Sequence, residues 1–298
     1  GESFPSETVS AFSCPNARKT ILVINGFHRL ATPAVVDNNY QQGFDIDRDP
    51  GVSYGLTAGW NGRQQCFDVS RMGHEGPGGL GYGGDELAGH FIAGNDFNYT
   101  IAHTDAIASA KQYNVVSCSS EAIEAGKVKL EKYQAVDLIL GLEKYDPNTV
   151  KYYKSFPMSM QRRIAAYTQG GGRILVSGAY VGEDMMQEDD AAWLSRFMKA
   201  SYGGNVKTDS LTGVNGLGMQ FDFYRTLNPY HYAATHTNVL SPEGNAICAM
   251  QYSSGQSAAV AYAGTDYKAF VMGFPFECIT DRTTRNKLMQ GILNYILQ

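Results

Sequence analysis

The chain has 298 residues and a formal net charge of -5 with no long basic run, which argues against nucleic acid or an anionic membrane as partner. Hydrophobic residues make up 43%, yet no uninterrupted apolar stretch approaches the ~20 residues that span a bilayer. A chain of this length buries roughly three quarters of the surface exposed by its unfolded form, so it needs no disulfide or metal staple to fold.

Residues 1–18 are polar and contain proline, as expected of an N-terminal arm, and 19–298 read as a single α/β domain. The opening Gly-Glu-Ser-Phe-Pro-Ser has neither a charged start nor an apolar core segment, so it reads as a mature fragment. The first strand is the continuous β-branched run at 19–25, the pattern of a strand covered on both faces. It runs into Asn25-Gly26-Phe27-His28-Arg29. Between 30 and 94 regular patterning gives way to Gly, Asp, Asn and aromatics, a Gly-rich insertion of the kind that forms lids and binding loops. Within it, Asp45-Ile46-Asp47-Arg48-Asp49 suggests calcium. Pro50, however, stands where an EF-hand loop needs Gly, and the closing Glu is absent, which favours a solvated acidic turn.

A helix is expected over 103–111 and strands over 113–117 and 135–140, the strands ending in Cys118-Ser119-Ser120-Glu121 and Gly141-Leu142-Glu143-Lys144. Residues 158–169 have helical periodicity and stop at Gly170-Gly171-Gly172. The next strand, 173–177, leads into Gly178-Ala179-Tyr180-Val181-Gly182-Glu183-Asp184, small residues around one raised side chain, the spacing of a nucleophile elbow. After a helix near 191–200 come short alternating runs at 246–252 and 257–262. A turn at Gly264-Thr265-Asp266 then leads into 268–274, which reads as a C-terminal antiparallel hairpin before a closing helix over 281–297.

This order predicts an α/β fold with a doubly wound, mainly parallel, flavodoxin-like sheet. Ligands of such sheets bind beyond the carboxyl ends of the strands. The loops at 25–29, 118–121, 141–144 and 178–184 should therefore share one crevice. The five cysteines, Cys14, Cys66, Cys118, Cys248 and Cys278, are scattered without C-x-x-C or metal-ligand spacing. Unpaired thiols are expected, with no metal and no cofactor.

Two motifs resemble the catalytic segments of class I glutamine amidotransferase-like domains: Gly178-Ala179-Tyr180-Val181-Gly182, and Val271-Met272-Gly273-Phe274-Pro275-Phe276-Glu277 near the end. In that family the elbow bears Cys and the late strand ends in a His-Pro-Glu segment. Here Tyr180 replaces the Cys, Phe274 to Phe276 stand near the missing His, and only Glu277 survives. The wording at 23–27, 43–47, 92–97 and 273–277 is more similar to a domain of large secreted bacterial proteins assigned as xanthan lyases. That resemblance implies secretion, or a periplasmic or surface location, a carbohydrate or cell-wall ligand, and neighbouring domains in a longer protein.

Three chemistries can be weighed on the predicted edge. A phenol is a poor nucleophile at neutral pH, so amidotransferase chemistry at Tyr180 lacks both nucleophile and base. Glycoside hydrolysis needs two carboxyls about 5–9.5 Å apart, for which Glu143, Glu277, Glu183 and Asp184 are candidates. Elimination from a uronic acid needs a base, Tyr180 or His28, and a group such as Asn25 or Arg29 to neutralise the sugar carboxylate. The candidate catalytic residues are thus Tyr180, Glu143, Glu277 and His28, and the candidate ligand-binding residues Asn25, Arg29, Ser119, Glu183, Asp184 and Trp60. Tyr82, Tyr99, Tyr224, Tyr230 and Tyr232 join Trp60 as rings that could stack on sugars. The remaining reading is a scaffold without its catalytic Cys and His that binds a glycan or supports neighbouring domains.

Overall fold

The computed structural model describes residues 8–27, 34–37, 42–45, 99–145, 154–226 and 231–298. His28, Arg29, Trp60, Tyr82, Tyr230, Cys66 and the acidic run at 46–49 lie outside the described residues. Among the described residues, fourteen strands and five α-helices follow in chain order: β1 (Ala11–Phe12), β2 (Thr20–Asn25), β3 (Ala34–Asp37), β4 (Gln42–Asp45), α1 (Tyr99–Ala108), β5 (Asn114–Ser119), α2 (Ser120–Glu124), β6 (Ala135–Gly141), α3 (Met158–Gln169), β7 (Arg173–Gly178), α4 (Glu188–Trp193), β8 (Ala200–Lys207), β9 (Val214–Gly216), β10 (Met219–Phe221), β11 (His236–Pro242), β12 (Ile247–Tyr252), β13 (Ser257–Ala263), β14 (Lys268–Met272) and α5 (Arg282–Leu297). They divide between two units. The described part of one is the antiparallel β3–β4 pair with residues 226 and 231–233. The other holds every remaining element.

In that larger unit a ten-stranded sheet has the order β1-β5-β2-β6-β7-β14-β13-β12-β9-β10, and β8 pairs with β11 in a separate ribbon. Four pairings, β5–β2, β2–β6, β6–β7 and β7–β14, are parallel. The other five are antiparallel. The sheet is therefore mixed and strand-rich, which corrects the expectation of a doubly wound, mainly parallel, flavodoxin-like sheet. The reason lies in the connections. Strands 247–252, 257–263 and 268–272 are joined by turns of four residues, too short for the crossover that parallel pairing requires.

Period-two alternation assigns the parallel strands to two cores. Leu22, Ile24, Val136, Leu138, Leu140, Ile174, Val176 and Val271 share one apolar cluster with Met160, Ile164 and Tyr167 of α3. The intervening residues face the other side, where α1 and α5 pack together and Tyr295 of α5 meets Phe270 of β14 edge to face at 6.2 Å. Asp137, the one charged residue of the run at 135–140, falls on this α1 side. α5 begins at Asp281, whose carboxylate caps Thr284 N at 2.6 Å.

The carboxyl end of β6 needs a glycine. Gly141 has φ +49°, and a Cβ there would lie 2.4 Å from the Phe27 ring. Its carbonyl accepts Ala179 N at 2.8 Å, and the β6–β7 register shifts at this point, turning the 141–144 segment away from the ladder. Gly141→Ala should destabilise the fold by about 1–3 kcal/mol. A urea unfolding midpoint equal to wild type would contradict this.

Candidate functional site

Since β2, β5, β6 and β7 are parallel neighbours, their carboxyl ends lie on one edge of the sheet. Register sets Asn25 opposite both Ser119 and Ile139, and Gly141 opposite Gly178. The chain leaves β2 first toward β5 and later returns to its other side with β6, so a crevice is expected between the ends of these two strands. Asn25, Ser119, Glu143 and Tyr180 all follow from that edge.

Each has a distinct environment. Asn25 is 3% exposed, and its Oδ1 accepts Phe27 N at 3.2 Å, so the side chain shapes the strand exit. Ser119 is half-buried just ahead of α2. Glu143 is 1% exposed; its backbone carbonyl accepts Ser155 Oγ at 2.9 Å. Tyr180 is half-buried, with Lys144 Nζ 4.7 Å from its ring centroid.

The 178–184 turn is not a nucleophile elbow. Among the described non-glycine residues only Lys111, Lys199 and Leu217 have positive φ, so Tyr180 lacks the strained backbone that lifts a nucleophile. The turn continues into a single 3-10 turn, Glu183–Met185, and α4 starts only at Glu188. What fixes the turn is Asn238 of β11, fully buried, whose Oδ1 accepts Gly182 N at 2.8 Å and Glu183 N at 2.9 Å while its Nδ2 donates to Asn205 Oδ1 at 2.7 Å. Glu183 Oε2 accepts Asn205 Nδ2 at 3.0 Å. Asp184 is used structurally: its carboxylate accepts Tyr145 N at 2.9 Å and Ser155 N at 2.7 Å, and burial pushes its pKa above the ordinary carboxylate value against those bonds.

Glu277 is not a free strand-end acid. It lies in the 3-10 turn Phe276–Cys278 after β14, 1% exposed, with Oε2 3.2 Å from His103 Nε2. The other imidazole nitrogen, Nδ1, is 2.7 Å from Asp137 Oδ2, and the ring lies 4.8 Å from that of Phe276. His103 is fully buried, which by itself would lower its pKa; Asp137 and Glu277 outweigh that cost and raise it to about 9. At neutral pH the imidazolium donates to both carboxylates. This cluster was not singled out in the sequence. Its signal was Asp137, a charge inside an otherwise apolar buried strand, which folding tolerates only with a partner. Among the described residues no group is arranged to hold a metal ion, and both His103 nitrogens are taken by carboxylates.

These findings overturn the amidotransferase-like resemblance. The sheet is mixed, the turn at Tyr180 is unstrained, and Phe274, near the place of the missing His, is a core residue stacked on Phe223 at 5.3 Å. No family model matches the chain, and no curated protein matches it. The xanthan lyase resemblance gains no support from them. Solved structures with a distant likeness include a polyextremophilic β-galactosidase from the Antarctic haloarchaeon Halorubrum lacusprofundi, at 15% identity and TM-score 0.42 over 66% of this chain and 25% of that one. A second is the exo-β-1,4-mannosidase Op5Man5 from Opitutaceae bacterium strain TAV5, at 12% identity and TM-score 0.45 over 72% of this chain and 34% of that one. A third is the cytoplasmic protein STM1381 from Salmonella typhimurium LT2, at 10% identity and TM-score 0.46 over 92% of this chain and 99% of that one. This chain thus matches a quarter to a third of the length of the two glycosidases. Among the described residues no helix is long and apolar enough to cross a membrane. Among those residues Cys14 and Cys248 are free thiols.

Two outcomes follow from the buried cluster. His103 has a folded pKa of about 9 against an ordinary 6.5, so its stabilising contribution is complete below pH 6.5 and is lost as pH rises toward 9. Urea unfolding of wild type across that window should show stability falling with pH, and His103→Gln should flatten the slope; equal slopes would refute the assignment. Asp137→Ala, which leaves the imidazolium with one carboxylate, should cost about 3–5 kcal/mol at pH 7. A loss under 1 kcal/mol in the same assay would show that the pair carries no such weight.

Proposed function

We propose that this chain is a polysaccharide-active protein of a secreted, periplasmic or cell-surface setting, taking its ligand along the carboxyl edge of the parallel strands. The observation that carries the reading is the pairing of Tyr180 with Lys144 beside the strand ends that bear Asn25, Ser119 and Glu143. Elimination from a uronic acid requires a proton acceptor and a cation to neutralise the sugar carboxylate, and a phenol next to an ammonium supplies both. In this reading Tyr180 as phenolate takes the proton from the carbon beside the sugar carboxylate and the resulting phenol returns it to the glycosidic oxygen, whose C–O bond breaks as the C=C bond forms, while Lys144 meets the carboxylate and Asn25 and Ser119 bind hydroxyls. Hydrolysis by paired carboxylates is the weaker form of the proposal, because Glu277 is committed to the imidazolium of His103 and Asp184 to two backbone N–H groups.

A second reading, glycan binding or support of neighbouring domains without chemistry, draws on the burial of Glu143 and Asn25 at 1% and 3% exposure. Both readings meet in one assay. Wild type is incubated with a panel of uronate-containing polysaccharides while unsaturated product is followed by absorbance. Tyr180→Phe and Lys144→Met should each lower the rate by about 100-fold or more. Wild-type turnover at background with retained glycan binding would sink the catalytic reading and leave the second; absence of both would sink the two together.

A further inference from the structure

A pocket of about 450 Å³ lies at the opposite edge of the sheet, at the amino ends of β6 and β7. Its size falls in the ~300–1,000 Å³ range of small-molecule sites. It is lined by Glu131, Tyr133, Gln134, Tyr167, the glycines 170–172 and Arg173. None of these takes part in the edge described above, and together they form a different chemistry.

Arg173 is the decisive residue. Its Nε is buried without a hydrogen-bond partner in the structure, and no ion pair to its guanidinium is found among the described residues. The residue as a whole is half-buried and lines the pocket, and a guanidinium without a carboxylate partner there suits a carboxylate or another oxyanion held by charge-assisted hydrogen bonds. Helix α3 ends at this pocket, but its last carbonyls are already engaged. Gly170 N reaches Ala166 O at 3.1 Å, Gly171 N reaches Thr168 O at 3.0 Å and Gly172 N reaches Tyr167 O at 2.9 Å, so the negative end of the helix offers few open acceptors against an anion.

The rest of the lining suits hydroxyls and a sugar face. Tyr167 is held in place by its own hydroxyl, which donates to Arg173 O at 3.1 Å, while Tyr133 is half-buried beside it in the lining. Glu131 and Gln134 bring a carboxylate and an amide, the usual partners of vicinal hydroxyls. A Cβ at Gly172 would lie 2.5 Å from the Tyr167 ring, so the floor is kept bare for the tyrosine to take its position. Aromatic rings, one unpaired cation and neutral or acidic hydrogen-bonding groups match a monosaccharide that carries a carboxylate.

We infer that the pocket between the β6 and β7 amino ends and the α3 terminus is a binding site for a uronate sugar, with Arg173 gripping the carboxylate and Tyr133 and Tyr167 contacting the ring. The site is separate from the carboxyl-edge crevice and stands whether or not that crevice is catalytic.

The test is an amide-resolved NMR titration of the full chain with sodium glucuronate, with glucose and with sodium acetate, at matched ionic strength. Glucuronate should give saturable shifts at 131–134 and 170–173, with glucose and acetate each weaker by about tenfold or more. Arg173→Gln should weaken glucuronate to the level of glucose, and Tyr133→Leu should weaken both sugars, with thermal midpoints recorded to confirm folding. If Arg173→Gln fails to fold, Tyr133→Leu decides alone. The inference is overturned by the absence of saturable glucuronate shifts or by shifts confined to the strand ends around Asn25 and Tyr180. Glucose or acetate binding as tightly as glucuronate, or affinities untouched by the folded variants, would overturn it equally.

Discussion

A single buried imidazolium holds three parts of the larger unit in register. His103 comes from α1, Asp137 from the middle of β6 and Glu277 from the turn after β14, so 174 residues of chain separate the outer partners. Burying this charge away from water is affordable only with both carboxylates in place, and their geometry fixes α1 against the sheet at one height. Hydrophobic contact between α1, α5 and the strands is directionless by comparison. The ion cluster specifies where the helix stops sliding.

That constraint also assigns roles at the carboxyl edge. With Glu277 turned inward to His103, Asp184 turned to the 145–155 segment and Glu183 turned to Asn205, three of the four acids on this edge serve the scaffold. Tyr180, Lys144 and the deeply set Glu143 are left as the chemically distinctive groups. The edge is therefore sparser in uncommitted acids than the number of acids in the strand-end loops suggests.

The parallel strands were legible because full burial leaves a compositional mark: the β-branched run at 19–25, the apolar run at 135–140 and the stop of α3 at the triple glycine all match observed elements closely. The antiparallel half left weaker marks. β8 and β11 form a ribbon with glycines in one strand and a bulge in their pairing, and β9 and β10 are three residues each, so no periodicity accumulates. The runs at 246–252, 257–262 and 268–274 did mark β12, β13 and β14, but that they extend the parallel strands into one mixed sheet rests on the β7–β14 pairing, which local patterning does not encode. At the site, the spacing of small residues around Tyr180 was visible but its backbone angles were not, and small residues alone do not distinguish a strained elbow from a relaxed turn. Asp137 was visible in the sequence; its partner His103, 34 residues away, required the fold.

The Asn238 side chain has a further meaning. It belongs to the β8–β11 ribbon, not to the sheet, yet it supplies the acceptor for both amides at the turn after Tyr180. The direction of that turn is thus dictated from a separate layer by one carboxamide. Sequence drift within the ribbon can therefore re-aim the turn after Tyr180 while every residue of that turn stays the same.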